Sequence, residues 1–303
     1  MEGHQPRKKP KSNLPKISTT PLTAEDGLQL HSQTALVAKP KGVVCLVHGY
    51  GEHSGRYPHV IDALNQANFD VFTYDHRGHG LSGGKRGYVP RFQQFLDDLN
   101  LVLEHAIEHT NNQMPIMLYG HSMGGGIVLN YTLTMPLAQQ VTAVLASSPW
   151  LTLTNPPPLI KRIGARLLKY AAPKLTLPTG LDPNGISRDP DVVQAYLDDP
   201  LVHDRISPEL FLGIHAAGRQ TFALADNWYK PLLLSHGDDD PVTHFASSVA
   251  LASQIKKGSP LNTSETDTAE LKSWPGAFHE LHNELNSEAV IEHHVDWLTG
   301  QLG

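Results

Sequence analysis

A serine in a short glycine-rich segment is the strongest chemical signal in this chain. Ser122 is the middle residue of Gly120-His-Ser-Met-Gly124, which fits the pattern G-x-S-x-G. Apolar residues at 116–119 precede this segment, and apolar residues at helical spacing follow it at 127–133. A strand, a sharp turn and a helix in that order expose a serine hydroxyl at the end of a sheet. The pattern predicts a nucleophilic serine, whereas a chance glycine-rich turn would have no catalytic partners elsewhere.

Partners for this serine follow it in the chain. A serine hydroxyl is a weak nucleophile at neutral pH, so it needs a base beside it and an acid that orients the base. Three aspartates at 238–240 come directly after a predicted strand at 231–235, and His279 follows the last predicted strand. Loops at the carboxyl ends of parallel strands are where such a sheet binds its ligands. The order serine, acid, base therefore predicts a catalytic triad for acyl transfer.

The elements that would position these residues alternate along the chain. Apolar runs are typical of strands buried on both faces, and three-to-four spacing is typical of amphipathic helices. The predicted strands are 28–36, 43–47, 69–75, 116–119, 141–146, 231–235 and 271–274. The predicted helices are 58–67, 92–109, 127–133, 159–171, 208–228, 245–256 and 287–298. This order predicts an α/β fold with a mostly parallel sheet that helices cover on both faces.

Residues 150–229 interrupt this alternation. They are rich in proline and short helical stretches and contain no buried strand, after which the strand at 231–235 resumes the sheet. We therefore predict that the chain has three parts. These are a disordered basic tail at 1–20, a core at 21–149 and 230–303, and an inserted helical cap, or lid, at 150–229.

Length and composition allow one large domain with such an insertion. The chain has 303 residues, of which 40% are hydrophobic and 18% charged, enough to bury a sizeable core. No apolar run approaches the ~20 residues of a membrane span, and the polar, basic N-terminus lacks the apolar core of a signal peptide. We therefore predict a cytoplasmic location. The single cysteine, Cys45, excludes an internal disulfide and is expected to be a small buried hydrophobe.

Charge is divided unevenly between the N-terminus and the rest of the chain. Residues 1–16 contain five basic side chains and one acidic one, while the whole chain has a formal charge of −6. An acidic body argues against nucleic acid as a partner. The basic segment predicts either contact with an anionic membrane, at roughly 1 kcal/mol per positive charge, or a solvated terminus without fixed structure.

Four segments resemble the monoacylglycerol lipase and lysophospholipase branch of the α/β-hydrolases, and the likeness covers roughly residues 20–300. The segments are HGYGEHSGRY at 48–57, DHRGHGLS at 75–82, GHSMGG at 120–125 and GAFHELHNE at 276–284. The resemblance implies an α/β-hydrolase fold with a helical cap and a serine carboxylic-ester hydrolase that needs no cofactor. It also implies that an acylglycerol or a lysolipid is the substrate.

The resemblance assigns roles to particular residues. The family's acid lies in G-x-x-D, which selects Asp240 and leaves the two preceding aspartates as turn residues, and the family's base corresponds to His279. The backbone N–H groups of Tyr50 and Met123 correspond to the two donors of the oxyanion hole. Tyr50 is larger than the small residue common at its position, which affects the shape of the acyl pocket but not the backbone donor.

The resemblance also implies a small polar pocket for glycerol. Its predicted members are Arg56 after the oxyanion turn, Tyr196 from the cap and His282 after the base. The alternatives are a surface cation beside Glu52, a residue that packs within the cap, and a solvated loop residue, respectively. A lysophospholipase, a general carboxylesterase or a thioesterase would use the same triad, and a hydrolase-like lipid-binding module would have a broken one.

The predicted cap helix at 159–171 is amphipathic and basic. Its apolar residues predict contact with an acyl chain or a membrane surface. Its cations predict contact with anionic head groups. The alternative is a helix that packs on its own domain.

Metal binding is not predicted, although the chain has 18 histidines. His279 and His282 are three residues apart rather than the four of H-E-x-x-H, and no third ligand is evident. His76 and His79, like Asp75, are expected to hold their loop by local hydrogen bonds.

Overall fold

The computed structural model describes residues 17–258 and 268–302. Its strands are β1 (Ile17–Thr23), β2 (Gln29–Ala35), β3 (Gly42–Val47), β4 (Phe69–Tyr74), β5 (Ile116–His121), β6 (Val141–Ser147), β7 (Leu177–Pro178), β8 (Arg205–Ile206), β9 (Leu232–Gly237) and β10 (Ala269–Trp274). Its α-helices are α1 (Pro58–Gln66), α2 (Gln93–Thr110), α3 (Met123–Thr134), α4 (Leu159–Ala171), α5 (Pro190–Asp198), α6 (Pro208–Leu224), α7 (Phe245–Gly258) and α8 (Ser287–Gly300).

Eight strands form one sheet in the order β1-β2-β4-β3-β5-β6-β9-β10. The pairs that involve β2 are antiparallel, and every pair from β4 to β10 is parallel. The predicted mostly parallel sheet is therefore confirmed. The carboxyl ends of the parallel strands lie at one edge of the sheet. The loops that follow β3, β5, β9 and β10 at this edge contain the residues with candidate chemical roles.

Helices cover both faces of this sheet, and its central strands are buried at almost every position. In β3, Val43, Cys45 and Val47 pack in the same cluster as side chains of α2, α3 and α7. The alternate residues Val44 and Leu46 pack in a second cluster with α1 and α8. A strand buried on both faces cannot alternate apolar with polar residues, which is why β3 appears in the sequence as a continuous apolar run. Cys45 is buried and free, as predicted.

The N-terminal boundary predicted from the sequence needs a correction. The predicted tail includes residues 17–20, but these residues form the first part of β1, which pairs with β2 from Ile17 to Thr23. Six of the seven β1 residues are exposed, so the strand depends on backbone pairing and has no apolar run to reveal it. Residues 1–16 lie outside the described residues.

The chain between β6 and β9 crosses the carboxyl edge of the sheet. We call residues 150–229 the cap segment; it contains α4, α5, α6 and the two-residue strands β7 and β8, which pair antiparallel. Proline occupies a first-turn position in α5 and α6, where its missing N–H has no helical acceptor to lose. Among the described residues, no helix is long and apolar enough to cross a bilayer.

Candidate active site

Ser122 lies at a strained turn between β5 and α3. Its φ of 53° is in the left-handed region, which non-glycine residues rarely adopt. The neighbouring glycines are required by space: a Cβ on Gly120 would lie 2.3 Å from the Gly124 carbonyl oxygen, and one on Gly124 would lie 2.2 Å from the Val47 carbonyl oxygen. The serine N–H donates to Ser147 O at 2.9 Å, so the turn is also held by hydrogen bonding.

The structure brings the predicted serine, base and acid into one hydrogen-bonded chain. The His279 Nε2 atom is 2.9 Å from Ser122 Oγ, and the His279 Nδ1 atom is 2.8 Å from Asp240 Oδ2. All three side chains are buried. Such an arrangement lets the imidazole accept the serine proton while the carboxylate holds its other nitrogen.

The surroundings of Asp240 favour its ionised form. Its Oδ1 atom accepts the N–H groups of Val242 and Thr243 at 2.7 and 3.0 Å, and its Oδ2 atom accepts the Thr243 hydroxyl at 2.8 Å. Burial raises the pKa of this carboxyl, but His279 and His236 outweigh burial and lower the pKa overall. His236 Nε2 is 3.1 Å from Asp240 Oδ2. The sequence does not predict a role for His236, because a histidine near the end of a buried strand belongs to no motif.

The pKa of His279 is raised above its usual value. Burial lowers it, but the charge and hydrogen bond of Asp240 outweigh burial. With the carboxylate on Nδ1, hydrogen bonding assigns the proton to that nitrogen, so Nε2 is the free acceptor that faces Ser122.

The three consecutive aspartates have different surroundings. Asp240 contacts the imidazole, as described above. Asp238 Oδ1 instead accepts the Gly276 N–H at 2.7 Å, which ties the turn after β9 to the turn after β10. Asp239 is exposed. Of the three carboxylates, the one that the family pattern selected is therefore the one that reaches His279.

Two backbone donors near Ser122 have no acceptor within the described residues. Gly49 N–H is occupied, since it donates to Glu52 Oε1 at 2.6 Å, but Tyr50 N–H donates to no protein atom there. Met123 is the first residue of α3, and the first N–H groups of a helix have no intrahelical acceptor. The Tyr50 hydroxyl donates to the Arg205 carbonyl oxygen, which attaches the oxyanion turn to the cap segment.

Ser122 opens into a cavity of about 510 Å³ between the core and the cap segment. Much of the wall is apolar, and the cap segment supplies Trp150, Leu153, Leu181, Ile186, Ile206 and Phe211. The remaining wall includes the polar side chains Glu52, His121, Tyr196 and Glu280. An apolar cavity with a few polar groups is typical of a site for a small amphipathic molecule.

Arg56 lies behind this wall rather than in it. Its guanidinium donates to Glu52 Oε2 at 2.7 Å and to both carboxylate oxygens of Glu280 at 2.6 and 2.7 Å. It also stacks over the Tyr196 ring, 4.9 Å from the centroid. The predicted direct contact with glycerol is therefore corrected for Arg56, because its guanidinium is bound to two buried carboxylates and does not line the cavity. Glu280, which recruits the guanidinium beside the base, was not predicted.

His282 also lies behind the wall. Its ring is fully buried and stacks on Tyr57 with centroids 4.5 Å apart. It lies 4.9 Å from the His121 ring, and burial is the main cause of its lowered pKa. The predicted direct contact is corrected here too, because His282 supports His121 and Tyr57 instead of lining the cavity. Tyr196 is the one member of the predicted glycerol pocket that the cavity wall contains.

The loop after β4 is held by local hydrogen bonds, as predicted. Asp75 accepts the Ser54 N–H and hydroxyl at 2.8 and 2.6 Å, and His76 Nε2 is 3.0 Å from His48 O. His79 Nδ1 is 3.1 Å from Arg77 O. Within residues 17–258 and 268–302, no group of three or more potential ligand side chains is arranged to hold a metal ion.

Comparisons with known proteins agree with this geometry. The profile of the family described as serine aminopeptidase, S33, matches residues 38–286. A monoacylglycerol lipase of Mycolicibacterium smegmatis is 33% identical over 264 residues, which cover 87% of this chain and 90% of that protein. An uncharacterised abhydrolase domain-containing protein of Dictyostelium discoideum is 32% identical over 291 residues; the match covers 94% of this chain but 29% of that longer protein.

A solved structure extends the likeness to three dimensions. The monoacylglycerol lipase of Paleococcus ferrophilus superposes with a TM-score of 0.78 at 33% identity, and the match covers 90% of this chain and 99% of that one. The chain therefore belongs to the monoacylglycerol lipase-like α/β-hydrolases, within the family described as serine aminopeptidase, S33.

Proposed function

We propose that this protein is a serine carboxylic-ester hydrolase that releases a fatty acid from monoacylglycerol. The observation that carries the proposal is the hydrogen-bonded chain from Ser122 through His279 to Asp240, which opens into a largely apolar cavity. The names of its relatives in Mycolicibacterium smegmatis and Paleococcus ferrophilus support the same substrate class.

The proposed reaction is an acyl transfer in two halves. Ser122 Oγ attacks the ester carbonyl while His279 Nε2 takes its proton, and Asp240 stabilises the imidazolium that forms. The N–H groups of Tyr50 and Met123 bind the oxyanion, at roughly 3–4 kcal/mol per donor. His279 then returns the proton to the glycerol oxygen, and the alcohol leaves. A water molecule, deprotonated by His279, hydrolyses the acyl-enzyme and releases the fatty acid.

We assign the apolar part of the cavity to the acyl chain and the polar part to glycerol. The Tyr196 hydroxyl has no hydrogen-bond partner among the described residues, and burial with the charges of Glu280 and Glu52 raises its pKa, so it stays protonated and free to donate. Arg56 and His282 would act indirectly by holding Glu280, Glu52 and His121 in the wall. A substrate hydroxyl left without its partner would cost about 1–3 kcal/mol.

The charge of the polar part favours glycerol over a lysophospholipid head group. Arg56 is already paired with Glu52 and Glu280, so its positive charge is not free for a substrate anion; burial and the charge of Glu280 raise the pKa of Glu52, whereas Arg56 holds the pKa of Glu280 down. A phosphodiester leaving group would place a second anion against these carboxylates, and like charges in a buried site repel strongly. Neutral glycerol avoids that repulsion.

We also propose that the cap segment, residues 150–229, is a lid that meets a membrane surface, so that the protein is peripheral to the membrane. In α4 no residue is buried. Its exposed apolar side chains are Leu159, Ile160, Ile163, Leu167 and Tyr170. A folded helix that leaves such a stripe uncovered fits one that lies in the interface of a bilayer. A membrane would also present the insoluble substrate close to the cavity.

A substrate panel tests the assignment. The kcat/KM of a monoacylglycerol would be compared with that of its matched methyl ester, lysophosphatidylcholine, an acyl thioester and an aminoacyl anilide. We expect the monoacylglycerol to exceed the methyl ester by about tenfold or more, because only glycerol can use Tyr196. Equal kcat/KM values for the monoacylglycerol and the methyl ester would indicate a general esterase instead. Faster cleavage of lysophosphatidylcholine would replace the proposal with a lysophospholipase, and faster cleavage of the anilide with a peptidase.

A further inference from the structure

A second, positively charged groove lies between α4 and α6, apart from the triad. Its volume is about 370 Å³. Four cations line it, Arg162, Arg166 and Lys169 from α4 and Arg219 from α6. We call this the α4–α6 groove. Neither the triad nor the polar part of the catalytic cavity uses any of its cations.

The cations of the groove are scarcely neutralised. Lys169 lies 3.5 Å from Glu209, but Arg162, Arg166 and Arg219 form no ion pair within the described part of the chain. Protein surfaces normally intersperse charges of both signs. Three unpaired guanidinium groups and a lysine around one concave space therefore make a site with a net positive charge.

Arginines from both helices face the same space. His215 lies on α6, and its pKa falls to about 4, first because of burial and then because of the positive charges of Arg162 on α4 and Arg219 on α6. The imidazole is thus neutral at neutral pH and adds no charge of its own. Its ring lies 4.4 Å from that of Phe211, which forms part of both this groove and the catalytic cavity.

The groove borders the apolar stripe that α4 leaves exposed. Tyr170 is 80% exposed and belongs to both features, and Leu167 is 68% exposed one turn earlier on the same helix. An anion bound there would have apolar side chains beside it rather than open water. Guanidinium groups bind phosphate oxygens in a bidentate fashion. A phosphate attached to acyl chains matches both the charge and the apolar border.

We propose that the α4–α6 groove binds the phosphate of an anionic phospholipid and so orients the cap segment on the membrane. The inference rests on the proposed membrane contact and adds a specific lipid class to it. It differs from diffuse attraction in one respect: the positions of the cations matter, and not only their number.

Vesicle co-sedimentation tests the position of the charges. The full chain would be mixed with phosphatidylcholine vesicles, and separately with vesicles of equimolar phosphatidylcholine and phosphatidylglycerol. The variant Arg166→Gln/Arg219→Gln removes two charges from the groove. Its matched control, Lys161→Gln/Lys174→Gln, removes two charges from the same cap segment outside the groove. We expect the groove variant to lose about tenfold more affinity for the mixed vesicles than the control.

Each other outcome has a defined meaning. Equal losses of vesicle affinity in the two variants would contradict a specific site in the groove and would indicate diffuse electrostatic attraction instead. If inorganic phosphate at constant ionic strength displaces the parent protein from mixed vesicles at low concentration, the ligand is free phosphate and the lipid assignment is wrong. Binding to neutral vesicles with no gain in affinity from phosphatidylglycerol would contradict the groove site but leave the proposed membrane contact standing. Absence of binding to either kind of vesicle would contradict both the groove site and the membrane contact.

A soluble short-chain ester separates these results from the proposed hydrolase activity. Both variants should cleave it with the kcat/KM of the parent, because no groove cation touches Ser122, His279 or Asp240. If the double variant loses this activity through misfolding, the single variants Arg219→Gln and Lys161→Gln replace the pair, with the same expected order of affinities.

Discussion

The core and the cap segment enclose the same cavity but are built in opposite ways. On the core side, Asp240 accepts hydrogen bonds from the backbone, a hydroxyl and imidazoles, and His279 connects it to Ser122. On the cap side, α4 buries no residue at all. The comparison indicates that the candidate catalytic residues belong to a buried hydrogen-bonded network, whereas the proposed membrane contact falls on a helix whose apolar side chains are exposed.

The largest effect on kcat is expected from a substitution of one carboxylate in the hydrogen-bonded network of the core. We predict that Asp240→Asn lowers kcat by about 10⁴, because an amide favours the wrong tautomer of His279. The matched control is Asp239→Asn, which alters an exposed neighbour in the same turn and should cost less than about tenfold. Steady-state kinetics on a soluble ester measures both. If Asp239→Asn were the damaging change, the acid would be misassigned.

Substitutions in the core and in α4 should also differ in their effect on the free energy of unfolding. Leu46→Ala in β3 removes a fully buried side chain and should lower the free energy of unfolding by about 2–5 kcal/mol. Leu167→Ala makes the same change on α4, where the side chain is 68% exposed, and should change that free energy by less than about 0.5 kcal/mol. Chemical denaturation measures both values. A large loss for Leu167→Ala would mean that α4 packs on its own domain.

At the polar part of the cavity we expect a smaller, substrate-dependent effect. Tyr196→Phe should erode the preference for monoacylglycerol over its methyl ester by about tenfold, because it removes one hydrogen bond to glycerol. The kcat/KM of the methyl ester should stay nearly constant. Tyr170→Phe removes a hydroxyl from the exposed face of α4 and serves as the control. Equal losses on both esters in Tyr196→Phe would point to a structural role instead.

The smallest predicted effect is a shift in the pH profile. Burial lowers the pKa of His279, but Asp240 and, more weakly, Glu280 and Glu52 raise it. His279 acts as a base only when neutral, so kcat/KM rises as the pH passes through this pKa. Glu280→Gln removes one of the charges that raise the pKa, and the acid limb should therefore move to lower pH. Glu288→Gln, at an exposed site, should leave the limb in place, and a limb that also stays in place in Glu280→Gln would contradict the account.

The sequence was informative where one physical requirement determines the residue types. Strands buried on both faces must be apolar throughout, so β3 could be located within one residue. The glycines beside Ser122 are fixed by backbone contacts closer than a Cβ permits. The order of acid and base along the chain then follows from the sheet, because each must occupy a loop at a carboxyl end.

What the sequence could not supply is the direction in which a side chain points. The family pattern placed Arg56 in the right segment, but whether its guanidinium faces the cavity depends on Glu280, 224 residues away. His236 contacts Asp240 only because the turn after β9 folds back on its own strand. The first strand, β1, was missed for a related reason, since its partner is the backbone of β2 and not an apolar core.

The proposed activity depends above all on Ser122 as the nucleophile and on His279 as the base that activates it. Reaction with a fluorophosphonate, followed by mass-spectrometric mapping of the adduct, tests this claim most directly. We predict a single adduct on Ser122, no labelling of Ser122→Ala, and a rate of labelling that falls by about 10³ or more in His279→Ala, which lacks the base. An adduct on any other residue, or hydrolysis of esters by Ser122→Ala at the rate of the parent, would contradict it.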